Sequence, residues 1–257
     1  MSSDLSSAAM RSEPFVYVAT PCYGGLVNIA FLHSVIALQD ACAARGVGLH
    51  VELLENDALI TRARARLAAR FVAHPQATHM LFIDADIGFA PENVFRLLDS
   101  GKPMIGAVCP LKHIDWEKAR AAALAGAQDL MAKSIGYVVR FIPTPDHSVQ
   151  VEDGFAKVAY VGTGFLMIRR DAIERVCAAH PELAADIGDI EPGGESTPML
   201  FDTLVEAGTG EHLSEDYAFG ARWHGLGGEI WADMQARLTH VGHAAYTGSL
   251  VEAMRQG

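Results

Sequence analysis

Cysteine is sparse in this chain: Cys22, Cys42, Cys109 and Cys177 are far apart and form no CxxC. That excludes a disulfide framework or a cysteine-based zinc site and fits a reducing, cytoplasmic setting, with or without peripheral attachment to a membrane. No apolar run approaches the ~18 residues that span a bilayer. The opening MSSDLSSAAMRSEPF lacks the apolar core of a secretory signal, so none is expected. Basic residues are outnumbered, 20 against 31 acids, for a net charge of −11. A nucleic-acid partner would call for a basic footprint, and there is none. Binding a polyanionic phosphate would then require local arginines or a divalent cation. No repeat recurs at 20–50 residues.

Half of the 257 residues are hydrophobic and 20% are charged. These are globular proportions, and they exclude a disordered, collagen-like or coiled-coil chain. Residues 1–14 read as a loose polar tail. FVYVAT (15–20) reads as a strand and PCYGG breaks it. The apolar stretch from Val27 to Ala44 stops at Gly46 as a helix does. LHVELL (49–54) is a second strand, and Asp57 stands where it can cap the helix ALITRARARLAARFVA. HMLFID (79–84) is apolar enough to be buried on both faces. PENVFRLLDSG carries Pro at a helix start and Gly at its end, and PMIGAVC (103–109) follows as a strand. Alternating strands and helices predict a parallel, doubly wound sheet over the first ~110 residues.

The second half is less regular. Residues 116–133 have helical composition, and GYVVRFI (136–142), FAKVAYVG (155–162) and FLMIRR (165–170) read as strands, the last leading into a helix from Asp171. Residues 180–212, rich in Pro, Gly, Asp and Glu, read as a long loop that is mobile without ligand and helps form an acceptor site. SEDYAFGARWHGLGG reads as a helix capped by Ser214; EIWAD and RLTHVG read as short strands. Without a clear linker, one domain is expected over 15–257, with a binding half (15–112) and a second half (113–257).

Several clusters could carry chemistry. Asp84-Ala85-Asp86 ends a buried strand, and ligands bind beyond the carboxyl ends of strands in such sheets. If strand geometry persists, both carboxylates share a face and form a hard oxygen site for Mg²⁺ or Mn²⁺. Acids after a strand are also ordinary turn formers. Glu215 and Asp216 follow Ser214, where a capped helix start explains them without catalysis. His240 and His243 flank Val241-Gly242; a neutral imidazole at His240 could complete a metal shell, and His243 could be a loop residue. Among Arg62, Arg64 and Arg66, the first and last share a helix face and Arg64 points elsewhere. They could hold a diphosphate or be a solvated face. Gly162-Thr163-Gly164 fits either a close backbone approach to a ligand or a bend.

Taken in order, ATPCYGG, LLEND, ITRARARLAARFVA, THMLFIDADIGFAPENVFRLL, VGTGFLMIRRDAIERV, LSEDYAFGARWHGLGGEIWAD and RLTHVGHAAYTG resemble the GT-A nucleotide-sugar glycosyltransferases, most closely family-2-like members. The resemblance covers roughly residues 15–248 and is weakest over 113–155 and 180–210. It implies a GT-A type α/β fold: a Rossmann-like, mostly parallel sheet flanked by helices, with an irregular acceptor-side C-terminal half. It implies a metal-dependent, inverting transfer from a nucleoside-diphosphate sugar to a glycan, lipid or protein acceptor. Asp86 looks like the metal ligand of a DxD motif, Asp84 reaches ribose or metal, and His240 completes the metal site. Asp216, with Glu215 beside it, matches the general base. Arg64 falls at the arginine of an ARN pattern whose Asn is here Ala65, so Arg62 is a second choice. Thr20, Pro21, Tyr23 and Glu55 fall where base and ribose are held, Ala85 beside the donor, and Gly162, Thr163 and Gly164 on the acceptor side.

Other classes fit less well. A processive synthase would carry QxxRW well downstream of the acid, but Arg222-Trp223 follows Asp216 by only six residues and Phe219 stands at the Gln place. A haloacid-dehalogenase-type phosphatase expects Thr or Val at Gly88 and its motif on the first strand. A nucleotidyltransferase expects an Arg-containing Gly-rich first loop in place of PCYGG. A catalytically silent nucleotide-sugar-binding protein on the same fold remains the main alternative.

Overall fold

The protein is described here from a computed structural model over residues 13–146, 148–187, 196–242 and 245–254. The first half runs β1 (Phe15–Cys22), α1 (Ile29–Arg45), β2 (Gly48–Glu55), α2 (Ile60–Ala73), β3 (His79–Ile83), β4 (Ile87–Gly88), α3 (Pro91–Asp99) and β5 (Met104–Ala107). β1 pairs in parallel with β2 and β3. The ends of α1 follow from single residues. Asn28 Oδ1 accepts the Ala30 N–H as N-cap, and Gly46 closes the helix at φ 70°, a conformation glycine adopts without steric cost.

Period-two alternation divides the core. Val16 and Val18 face Phe31 and Leu38 of α1 and Val94 and Leu97 of α3. Tyr17 and Ala19 face Ala63, Leu67 and Phe71 of α2. Each fully buried Leu or Phe contributes about 1.5–3 kcal/mol relative to exposure, so this two-sided burial holds β1 and β3 in register. It also fixes the sheet edge at which they end.

The second half adds β6 (Pro110–Ile114), α4 (Trp116–Leu124), α5 (Leu130–Ser134), β7 (Ile135–Tyr137), β8 (Val139–Phe141), β9 (Val151–Glu152), β10 (Phe155–Val161), β11 (Phe165–Arg169) and α6 (Arg170–Ala179). There follow β12 (Ala184–Ala185), β13 (Thr197–Pro198), β14 (Leu204–Val205), β15 (His212–Leu213), α7 (Glu215–Gly225), β16 (Ile230–Asp233), β17 (Arg237–Val241), β18 (Ala245–Ser249) and α8 (Leu250–Met254). The nine-stranded sheet has the order β2-β1-β3-β11-β5-β16-β10-β8, with β9 on β10. It is a large sheet flanked by helices in which most strands run the same way, as expected of the α/β class, with β10 and β11 running against the rest. The parallel run of the first half is nonetheless interrupted: β11 inserts antiparallel between β3 and β5. Its apolar FLMI is buried there on both faces, a position its own sequence cannot specify.

Other local readings change. The stretch 116–133 is two helices, broken where Gly126 takes φ 77°. GYVVRFI splits between a ladder with β6 and the main sheet. Asp57 is not the cap of α2, whose N-cap position is Leu59; its carboxylate accepts the Leu59 N–H and then the side chains of Arg62 and Arg66. Ser214 holds the N-cap position of α7, but its hydroxyl donates to Asp216 instead of capping. The segment 180–212 is not loop throughout. Leu200 and Phe201 are wholly buried, and Phe201 packs against Phe82 and Phe219. Residues 188–195, His243 and residues 1–12 lie outside the described residues.

Among the described residues no helix is long and apolar enough to cross a membrane.

Candidate active site

β1 and β3 end at one edge of the sheet, and a cleft of about 750 Å³ opens there. Pro21, Tyr23, Leu26 and Val27 form an apolar wall; Arg64, Asp84, Ala85, Asp86, Lys112, Glu215 and His240 form a charged floor. A smaller cavity of about 160 Å³ continues from it, lined by Gly162, Thr163, Gly164, Cys109, Val138 and Asp216, and shares Arg64, Asp84, Glu215 and His240.

The two aspartates arrive by a turn, not by strand alternation. β3 ends at Ile83, and the Ile87 N–H closes back on the Asp84 carbonyl at 3.0 Å. Their side chains therefore diverge. Asp84 Oδ1 takes Arg64 Nη2 at 2.9 Å. Asp86 Oδ1 lies 3.2 Å from His240 Nε2, and its Oδ2 takes the Lys112 ammonium. The expected trio of Asp84, Asp86 and His240 does not assemble as one ligand set. No group of three His, Cys, Asp or Glu side chains among the described residues could hold a metal ion.

His240 is placed by β17, which pairs with β4 and sets His240 opposite Ile87. Its Nδ1 lies 2.8 Å from the Pro110 carbonyl. A carbonyl only accepts, so Nδ1 carries the proton, and Nε2 of a neutral ring presents a lone pair to the Asp86 carboxylate. Two acceptors at that distance repel unless a proton or a cation lies between them. A ring held through Nδ1–H by a backbone carbonyl is also the usual arrangement of a metal-ligating histidine. Asp86 and His240 thus fit a divalent cation whose remaining ligands come from phosphate oxygens and water, as Mg²⁺ is commonly held, but not an all-protein cage. Burial pushes the Asp86 carboxyl up. The His240 ring, when Nε2 is protonated, and the Lys112 ammonium outweigh it and hold the group below its ordinary range.

Arg64 is 3% exposed. Besides Asp84 it reaches Glu215 Oε1 at 3.4 Å and lies over the Phe82 ring. Its Nη1 is buried without a hydrogen-bond partner among the described residues. A buried guanidinium N–H left unpaired is costly, and a phosphate or carbonyl oxygen in the cleft would satisfy it. Arg62, the second choice, is excluded by geometry: its Nε and Nη2 lie on Asp57, away from the cleft.

Asp216 receives both its hydrogen bonds on Oδ1, from Ser214 Oγ and from the Tyr217 N–H at 2.9 Å. Oδ2 faces Gly162; a Cβ there would lie 3.4 Å from it and only 2.7 Å from Val138 Cγ1. A Cβ at Gly164 would meet Cys109 Sγ at 3.1 Å and Asp84 Oδ2 at 3.2 Å. Both glycines therefore allow close approach of backbone to acid. Cys109 is not a nucleophile in this setting: burial, reinforced by Asp84 and Asp86, pushes its thiol far up.

Of the residues expected near a base and ribose, Pro21 and Tyr23 line the cleft. Thr20 does not, because strand alternation turns it inward to full burial. Glu55 does not either; it stands beside Gly25, behind the turn that ends β1. Sequence reasoning missed Lys112 and the Pro110 carbonyl, and a single PLKH after an apolar run offers no periodic signal for either. Asn28 also lines the cleft, from the N-cap position of α1.

No protein-family model matches the chain. No curated protein matches it. Solved structures with a similar course include A197 from STIV, 14% identical over 89% of this chain and 86% of that one, TM-score 0.47. A glycosyltransferase involved in glycosylation of the major capsid of PBCV-1 is 13% identical over 66% and 68%, TM-score 0.33. UDP-glucose pyrophosphorylase complexed with UDP-glucose is 9% identical over 88% and 92%, TM-score 0.41. At TM-scores this low, none of these likenesses bears on the chemistry of the site.

Proposed function

We propose that this chain is a glycosyltransferase of the GT-A type that moves a sugar from a nucleoside-diphosphate donor to an acceptor hydroxyl with inversion. What carries the reading is the convergence of Arg64, Lys112, Asp86 and His240 on one cleft floor, with Asp216 in the adjoining cavity. The cleft's apolar wall of Pro21, Tyr23 and Val27 suits a nucleobase, and its floor suits a diphosphate. Mn²⁺ or Mg²⁺ held at Asp86 and His240 would supply charge neutralisation for the departing diphosphate.

The chain's own residues do the rest. Arg64, through its unpaired Nη1, and Lys112 face the phosphate oxygens and stabilise the charge that develops there. Asp216 Oδ2 takes the proton of the acceptor hydroxyl while Ser214 and the Tyr217 N–H keep Oδ1 in place. Gly162 and Gly164 let the backbone pass close to Asp216 and Asp84 at the inner end of the cleft. The barrier falls mainly through positioning and charge stabilisation.

The test is incubation with Mn²⁺ and a panel of UDP- and GDP-sugars. Release of nucleoside diphosphate upholds transfer. Phosphate released from simple esters would instead indicate a phosphatase, pyrophosphate-dependent turnover a nucleotidyltransferase, and binding without turnover a silent binding protein.

A further inference from the structure

Lys112 stands where a cation belongs. Its ammonium sits on Asp86 Oδ2 while His240 approaches Oδ1, so one carboxylate is shared between a tethered cation and the imidazole. β6 positions both neighbours: Pro110 supplies the carbonyl that orients His240, and Lys112 follows two residues later. The Lys112 stem runs beside Gly242, where a Cβ would lie 2.9 Å from its Cδ. The ammonium is thereby aimed across the cleft floor.

We infer that Lys112 competes with the divalent cation for Asp86, so that the metal site opens only when a diphosphate draws the lysine away. This rests on the proposed nucleotide reading and adds an order of events to it. The Lys112–Asp86 pair is about one-third exposed on both sides. Ion pairs of that kind are weak and easily exchanged. With the ammonium in place, Asp86 Oδ2 is blocked and only two protein ligands remain, too few for tight binding of a hard cation. A diphosphate offers Lys112 a stronger partner and, in the same event, adds oxygens to the metal's shell. Metal and diphosphate therefore bind cooperatively, and Lys112 is a positioning residue for that coupling.

The experiment measures Mn²⁺ binding by the EPR signal of free Mn²⁺, with the metal alone and with saturating UDP or GDP, for the native chain, Lys112→Met and Lys112→Arg. The native chain should bind Mn²⁺ about tenfold more tightly with the nucleotide than without, a usual size for linked sites. Lys112→Met should bind Mn²⁺ alone about threefold more tightly, the scale of a partly exposed ion pair, and lose most of the coupling. Lys112→Arg, which keeps the charge, should behave as the native chain. Thermal melts confirm that the variants are folded. Unchanged or weaker binding of Mn²⁺ alone by Lys112→Met, or unchanged coupling, would overturn the inference. If neither nucleotide binds any variant, the nucleotide reading fails, and the metal-alone comparison still decides whether Lys112 competes.

Discussion

The two faces of α2 carry the same chemistry to different ends. On one face Arg62 and Arg66 converge on Asp57, whose carboxylate is almost wholly buried and also accepts the Leu59 N–H. On the other face Arg64 meets Asp84 and Glu215, both more open, and keeps Nη1 without a partner among the described residues. The first cluster is closed and ties the β2–α2 connection to the helix. The second is incomplete and opens on the cleft. Buried polar groups are normally satisfied, so the deficit at Arg64 separates a group that waits for a ligand from groups that hold the fold.

The comparison can be broken at its functional end first. Asp216→Asn keeps the shape and the Ser214 and Tyr217 contacts on Oδ1. It should fold normally and lose transfer by at least ~100-fold, measured as nucleoside diphosphate release. Near-normal turnover, or a product that retains the donor's anomeric configuration, would remove Asp216 from its role. Asp86→Ala should abolish the metal dependence of nucleotide binding without unfolding the chain, read by melting temperature with and without Mn²⁺. Unchanged metal dependence would place the cation elsewhere.

A double comparison then tests the two faces directly. Arg64→Met should weaken UDP or GDP binding by about tenfold, the loss of one charged hydrogen bond, with little change in melting temperature. Asp57→Asn should do the reverse, costing about 1–3 kcal/mol in stability and leaving nucleotide binding intact. Burial pushes the Asp57 carboxyl up, but hydrogen bonds from Arg62, Leu59 and Arg66 prevail and hold it below its ordinary range. Its stabilising contribution is therefore full at neutral pH and fades only as pH falls through that lowered value.

A pH-dependent effect lies in the sheet. Burial, with Arg169 adding, pushes the His79 imidazole down to about 4, from an ordinary 6.5. The unfolded chain then binds the proton more tightly between those values. Stability should be full above pH ~6.5 and decline as pH falls toward 4. His79→Gln should flatten that part of the curve in urea melts at pH 7 and 5; parallel curves would show that His79 is not the group responsible.

Much of this was legible in the residues. Apolar periodicity located α1, and Pro91 and Gly101 bracketed α3, because such patterns are local properties of the chain. The apolar HMLF placed Asp84 at a sheet edge for the same reason. The spacing of the three arginines correctly separated Arg64 from Arg62 and Arg66. The insertion of β11, the pairing of β17 with β4, and the burial of Phe201 against Phe82 were not legible. Each joins segments 60 or more residues apart in sequence and leaves no local pattern. The turn after Ile83 belongs to the same group. The sequence suits a strand that runs on through Asp86, yet the Ile87 N–H closes on the Asp84 carbonyl at 3.0 Å and the chain turns there.

Local chemistry, then, determined that this chain would build a helix-flanked sheet with acids and an arginine at one edge. Residue type and spacing suffice for that, because burial and helix or strand periodicity act over a few residues. Which acid meets which cation was decided by tertiary structure alone. Asp84 went to Arg64, while Asp86 went to Lys112 and His240, through a turn and a cross-chain ladder. Direct contact is needed for such pairs, since exposed charges farther apart than the ~8–10 Å screening length scarcely interact.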